Sequence, residues 1–262
     1  MKAPRTYLSA FLVILFCTVS VTTSYSQPSL FSYEKYSNGK GDTLNYRLLV
    51  PDWGLTQKFP LVIFLHGSGE RGKDNDAQLK WGVMNFATDQ NLKLHPSIVI
   101  APQCPENSGW ANIAFNKNFT EVSLLPTPTK QMELLIELIK QTVQKLPVDT
   151  TRIYITGLSM GGFGTFDAIE RYPNLFAAAV PVCGAGDVSK AKSIAHIPIW
   201  IFHGADDGSV NPAYSNEMFK ALTAAGAKPG LTQYPEVGHF SWIAAYSDPM
   251  MMEWLFRQRK IK

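Results

Sequence analysis

Five runs of this chain are apolar at nearly every position: residues 60–65, 97–101, 152–156, 177–182 and 198–202. A strand with one face in water alternates polar and apolar side chains. A run that does not alternate must be covered on both faces, the condition of central strands in a parallel sheet. Between the runs lie stretches with helical character, residues 76–87, 129–145, 160–171, 212–225 and 249–259. In the second of these, Met132, Leu135, Ile136, Ile139 and Val143 recur at spacings of three and four and form one apolar face. Strand followed by helix, repeated, implies right-handed crossovers and an α/β sandwich. Residues 31–36 and 44–50 do alternate, with Asn38, Gly39, Gly41 and Asp42 between them, and read as an antiparallel hairpin that opens the sheet. At 262 residues the chain can bury one sizeable core, and neither repeats nor a Pro/Gly/Ser linker divides it.

The first 26 residues read differently. Lys2 and Arg5 precede an apolar run over residues 7–21, after which Ser24 and Ser26 present small side chains to a cleavage pocket. This is the three-part order of a secretory signal peptide, and the run is shorter than the ~20 residues that span a bilayer. The expectation is a signal peptide over 1–26, a catalytic domain over 27–262, a secreted or periplasmic location, and no stable membrane anchor after cleavage. Lys and Arg number 24 against 21 Asp and Glu, and loss of Lys2 and Arg5 brings the balance closer to neutral. No basic patch argues for a nucleic-acid partner.

In open α/β sheets ligands bind outside the carboxyl ends of the strands, so the residues after each apolar run are those to read for chemistry. Gly157-Leu158-Ser159-Met160-Gly161-Gly162 stands directly between the run ending at Thr156 and a helical stretch. Glycines on both sides permit a sharp, strained turn that lifts a serine hydroxyl above the sheet and into the field of a helix N-terminus. A serine hydroxyl is a weak nucleophile until a base takes its proton. Of the histidines, His95 and His196 precede strands, while His66 and His203 close strands and read as buried structural residues. His239 follows the last apolar run, residues 231–235, and has both the right end of the sheet and the right chain order. The imidazole needs a carboxylate to hold its tautomer, and the loop after His203 offers two, Asp206 and Asp207. The backbone N–H groups of Ser68 and Met160 stand where an oxyanion hole is built. No histidine and carboxylate cluster has ligand spacing, so neither a metal nor another cofactor is expected.

The ordered motifs 65–72 (LHGSGERG), 101–105 (APQCP), 157–162 (GLSMGG), 203–207 (HGADD) and 238–242 (GHFSW) resemble those of secreted α/β-hydrolases related to dienelactone hydrolase, polyhydroxybutyrate depolymerases and feruloyl or acetyl esterases. The resemblance implies the α/β-hydrolase fold: a mostly parallel eight-stranded sheet, helices on both faces and no large lid domain. It also implies a Ser159, Asp207, His239 triad, since the acid of that group stands four residues after the histidine of the His-Gly motif. Asn211 departs from the proline that relatives often carry in this loop. The usual strand order places Cys104 and Cys183 three strands apart, roughly 14 Å at ~4.8 Å per neighbour and beyond the ~7 Å reach of a disulfide. Both are expected to be unpaired and buried. Trp110, Phe240 and Trp242 are candidates for an aromatic wall against an acyl group or a sugar face.

The expected reaction is hydrolysis of a carboxylic ester through an acyl-enzyme, with a small-molecule or oligosaccharide ester as substrate, an acetyl or hydroxycinnamoyl ester on a carbohydrate. A serine peptidase of the same fold is the second reading, and a catalytically inactive binding protein the third.

Overall fold

The computed structural model describes residues 30–52 and 57–260, so the signal peptide expected over residues 1–26 lies outside the described residues. In chain order the strands are β1 (Ser32–Ser37), β2 (Thr43–Leu49), β3 (Phe59–Leu65), β4 (Ile98–Pro102), β5 (Ile113–Phe115), β6 (Val122–Leu124), β7 (Val148–Leu158), β8 (Ala178–Val182), β9 (Trp200–Gly204) and β10 (Gly230–Tyr234). Eight of them form one sheet in the order β1-β2-β4-β3-β7-β8-β9-β10. The pairs from β4 to β10 are parallel, and β1 and β2 are antiparallel at one edge. The mostly parallel eight-stranded sheet of the α/β-hydrolase fold is therefore present.

Absence of alternation in β3 is explained by its packing, since all seven of its residues are buried. Leu61, Ile63 and Leu65 face one core and Val62 and Phe64 the other. Two short helices, α1 (Asp89–Leu94) and α4 (Ala191–Ile194), precede β4 and β9, and the first core is closed by α2 (Lys130–Lys145), α3 (Met160–Arg171) and α5 (Ala213–Ala224), through Met132, Leu135, Ile139, Phe166, Ile169, Met218 and Leu222. The second is closed by α6 (Trp242–Ser247) and α7 (Pro249–Arg257), through Trp242, Tyr246, Met251 and Leu255. Helix entry follows local chemistry. The Thr129 hydroxyl accepts the Met132 N–H at the start of α2. The Asp248 carboxylate accepts the Met250 N–H at the start of α7, with Pro249 in the first turn. Among the described residues, no helix is long and apolar enough to cross a membrane.

One departure from the sequence reading concerns the segment after β3. Residues 76–87 do not form a continuous helix. They make two 3-10 turns, Ala77–Leu79 and Val83–Ala87, on either side of Gly82. Gly82 has φ +73°, and a Cβ there would lie 2.5 Å from the Tyr246 ring, so close packing onto α6 breaks the helical path. Residues 105–128, without clear periodicity, contain the hairpin β5–β6, which pairs Ile113 with Leu124 and Phe115 with Val122.

Cys104 and Cys183 are both unpaired and buried. Cys104 follows β4 and Cys183 follows β8, three places apart in the sheet. Titration of thiols in the denatured, unreduced protein is expected to find both; finding neither would show that the two sulfurs meet in solution.

Candidate active site

The site begins with a backbone that most residues avoid. Ser159 has φ +52° and ψ −117°, outside the regions open to a side chain without strain, and it links the end of β7 directly to α3. Its neighbours explain how this is tolerated. A Cβ on Gly157 would lie 2.4 Å from the Gly161 carbonyl oxygen, and one on Gly161 would lie 1.9 Å from the Leu65 carbonyl oxygen. Glycines alone let α3 start this close to the ends of β3 and β7. The Ser159 N–H donates to the Val182 carbonyl at 3.0 Å, which ties the turn to β8.

Two more strand-end loops converge on the hydroxyl. His239, after β10, holds Ser159 Oγ at 2.9 Å through Nε2 and Asp207 Oδ2 at 2.7 Å through Nδ1. A carboxylate only accepts, so Nδ1 carries the proton and Nε2 presents its lone pair to the serine O–H. Asp207, after β9, has its side chain fully buried. Its Oδ1 accepts the N–H groups of Ser209 and Val210 at 2.8 and 2.9 Å. Burial pushes this carboxyl up, but the hydrogen bonds from His239 and the two amides outweigh burial and hold it below the usual range. Asp206 is exposed. Asn211 accepts the Ala213 N–H at the start of α5 at 2.9 Å, and the same loop keeps Asp207 on His239.

The two histidines read as structural are buried and fully engaged. His203 Nε2 donates to the Val210 carbonyl at 3.0 Å and lies 3.2 Å from Asp207 Oδ2, while Ser215 donates its hydroxyl to Nδ1 at 2.6 Å. His203 therefore steadies the same oxygen that accepts the hydrogen bond from His239 Nδ1. That contact was not apparent from its place at a strand end. His66 accepts the Cys104 N–H on Nε2 at 2.9 Å and donates from Nδ1 to the Gly67 carbonyl at 2.6 Å. Burial lowers its pKa to about 4, so it stays neutral and fixes the loop that carries Ser68. Gly67 packs on Leu158, which puts that loop beside the serine, and Met160 opens α3 on the other side.

Cys183, with φ +41°, lies behind the serine, and its sulfur is within 4.8 Å of the ligand atoms of Asp207 and His239. Burial pushes its thiol up to about 12, and both nitrogens of His239 are engaged. Asp207 and His239 belong instead to the hydrogen-bonded chain that ends on Ser159 Oγ.

A cleft of about 290 Å³ opens on Ser159, lined by Met160, Phe163, Ile113, Phe115, Arg71 and residues 109–111. The aromatic candidates separate here. Trp110 is fully buried, donates its indole N–H to the His66 carbonyl at 3.1 Å and packs on Gly164, so it backs the cleft without offering an open face. Trp242 is also buried, its ring perpendicular to His239 at 5.1 Å. Phe240 is 56% exposed and stands 4.8 Å from Trp242 on the rim. Trp81 joins this rim 6.0 Å from Phe240, and Phe115 and Phe163 face the cleft; none of the three was singled out for this from the sequence. Phe115 alone had a signal, its place in a long stretch without periodicity.

The hairpin wall is fastened to α3. Arg171 pairs with buried Asp167 at 2.8 Å and donates to the Leu125 carbonyl at 2.8 Å, and Asp167 accepts the Asn112 N–H at 3.0 Å.

The model of the phospholipase/carboxylesterase family matches residues 55–248. Poly(3-hydroxyalkanoate) depolymerase C of Paucimonas lemoignei is 26% identical over 255 residues, covering 83% of this chain and 56% of that protein. A bifunctional acetylxylan esterase/xylanase of Neocallimastix patriciarum is 32% identical over 83 residues, covering 32% of this chain and 12% of that protein. The chain thus spans about half the length of the depolymerase, or less in the case of the xylanase. Among solved structures, a thermostable esterase superposes with a TM-score of 0.82 at 40% identity, covering 89% of this chain and 64% of that one.

The two adjacent carboxylates can be told apart by substitution. Asp207→Asn is expected to lower kcat on a chromogenic acetate ester by about 10⁴ through loss of tautomer control. Asp206→Asn should cost far less, because that side chain is exposed; the reverse ranking would move the acid by one residue.

Proposed function

The chain belongs to the phospholipase/carboxylesterase family, and from that membership we propose that it is a serine hydrolase cleaving carboxylic esters through an acyl-enzyme. The observation that carries this reading is the chain from Ser159 Oγ to His239 to Asp207, at 2.9 and 2.7 Å, with the only tautomer that lets Nε2 act as base.

In this mechanism Ser159 Oγ attacks the ester carbonyl carbon as its proton passes to His239 Nε2. The imidazolium that forms is stabilised by the Asp207 carboxylate, which stays ionised. The backbone N–H groups of Ser68 and Met160 receive the developing oxyanion. His239 then returns the proton to the departing alcohol oxygen. Water, deprotonated by the same nitrogen, attacks the acyl-enzyme carbon, the C–Oγ bond breaks as His239 returns the proton to Ser159 Oγ, and the acid is released. His66 and His203 take no proton in this scheme; they hold the Ser68 loop and Asp207 in place.

For the substrate we propose an acetyl or hydroxycinnamoyl ester on a carbohydrate. A cleft of about 290 Å³ is at the small end of the ~300–1,000 Å³ typical of ligand sites and suits an acyl group of modest size. The exposed Phe240 beside His239 offers a face for a sugar ring on the alcohol side. The names of the acetylxylan esterase and the polyester depolymerase agree with ester chemistry on polymers. Export through the leader over residues 1–26 fits a substrate outside the cell.

An amide would need an extended peptide held so that the departing nitrogen is protonated in good geometry. The expected outcome is therefore a kcat/KM for acetyl or feruloyl esters at least about 10³ above that for matched peptide anilides, or ~4 kcal/mol of transition-state discrimination. Both activities should vanish in Ser159→Ala. Comparable turnover of the anilide would make the protein a peptidase.

A further inference from the structure

The cleft that opens on Ser159 can be assigned a side of the ester. His239 Nε2 must deliver its proton to the leaving oxygen, so the alcohol sits by His239, Phe240 and Trp242. The cleft is bounded instead by Met160, Phe163 and the hairpin, and no residue of the His239 loop lines it. It is the acyl side. Apart from Ser159 itself its side chains are apolar or aromatic, with one charged exception, Arg71.

Arg71 differs from the other partly or fully buried arginines. Arg47 and Arg171 pair with Asp76 and Asp167, and Arg152 pairs with Asp149. The basic residues of a second cavity, at the amino ends of β8 and β9, are engaged as well: Arg259 meets Asp149, and Lys260 meets the Asn174 and Leu175 carbonyls. Arg71 has no acceptor among the described residues, and its Nε is buried without a partner. The nearby carboxylates are turned elsewhere. Asp74 accepts from the N–H groups of Asp76 and Ala77 and from the Gln103 amide. Glu70 lies against the Gly67 amide and the Trp81 indole.

Arg71 is partly exposed where it lines the cleft, and its buried Nε is a donor that an incoming anion can satisfy. A guanidinium also presents a planar fork of donors that matches a carboxylate with two parallel hydrogen bonds. We propose that Arg71 is the acyl-recognition residue of this cleft and that the enzyme's substrates include esters whose acyl group ends in a carboxylate, half-esters of dicarboxylic acids with sugar or other alcohols. This rests on the ester-hydrolase reading of the same site and adds a class of acyl group to it. The bonds made and broken are those of ordinary acyl transfer: Oγ–C forms, C–O to the alcohol breaks, and the proton goes from Ser159 through His239 to the alcohol. The distal carboxylate is not consumed, and hydrolysis releases the dicarboxylate.

The test compares 4-nitrophenyl hydrogen glutarate with 4-nitrophenyl pentanoate, matched in chain length, after subtraction of the uncatalysed rates. The quantity read is the ratio of their kcat/KM values, so any general loss of activity cancels. Charge-assisted hydrogen bonds predict that the ratio falls about 10- to 100-fold in Arg71→Met, with Arg71→Lys in between. In the unsubstituted protein the ratio should also fall as ionic strength rises. A ratio unchanged by substitution and by salt, with pentanoate still turned over, would overturn the Arg71 subsite alone. Absence of any Ser159-dependent ester turnover would overturn the ester-hydrolase reading beneath it.

Discussion

The start of α3 is pressed against the carboxyl ends of β3 and β8 with no room for side chains. Gly161 faces the Leu65 carbonyl, and Gly162 faces the Val182 carbonyl, where a Cβ would lie 2.4 Å away. This approach forces the turn at Ser159 into its left-handed backbone, at a cost on the order of 1–3 kcal/mol. The sheet resists relaxation because its central strands are buried on both faces. A strained residue persists only where its surroundings over-determine it, and here the surroundings are the fold's main layers. The hydroxyl is thereby held where two separate loops can reach it.

Those loops are positioned by complete hydrogen bonding rather than by bulk. Each oxygen of Asp207 has two donors near it: the Ser209 and Val210 amides on one, His239 and His203 on the other. Because the Val210 carbonyl and the Asp207 carboxylate beside His203 Nε2 only accept, Nε2 carries the proton of His203, on the side facing Asp207, and Ser215 donates to Nδ1. A fully buried carboxylate side chain is costly unless it is satisfied in this way. On the far side of the site, the Asp167–Arg171 pair fastens the hairpin to the same helix that begins at Ser159, so the cleft wall and the serine share one rigid support. Tyr214 of α5 adds a hydrogen bond to the Phe119 carbonyl at the hairpin tip.

Central strands, the serine turn and the two strand-end loops that carry His239 and the adjacent aspartates could be read from the sequence, because each follows from local rules: unbroken apolar runs, flanking glycines and loops at strand ends. Helix α3 was readable to the residue for the same reason. Residues 76–87 were not, since only the Tyr246 ring, distant in sequence, explains why Gly82 breaks the helix. Trp110 carried the same composition signal as Phe240, yet one is buried against His66 and the other is on the rim; that distinction belongs to tertiary packing. Arg71 stands inside the motif over residues 65–72, and its significance comes from the acceptors it lacks among the described residues, which no sequence pattern displays. The choice between Asp206 and Asp207 rested on resemblance and acquires a physical basis in the buried hydrogen bonds of Asp207.

In the proposed mechanism Ser159 is a nucleophile because His239 accepts its proton. Peptide mapping by mass spectrometry after reaction with an alkyl fluorophosphonate tests it directly. One adduct on the peptide containing Ser159, formed in the unsubstituted protein and not over the same period in His239→Ala, is the result predicted. An adduct on another residue, or equal labelling of Ser159 without His239, would contradict it.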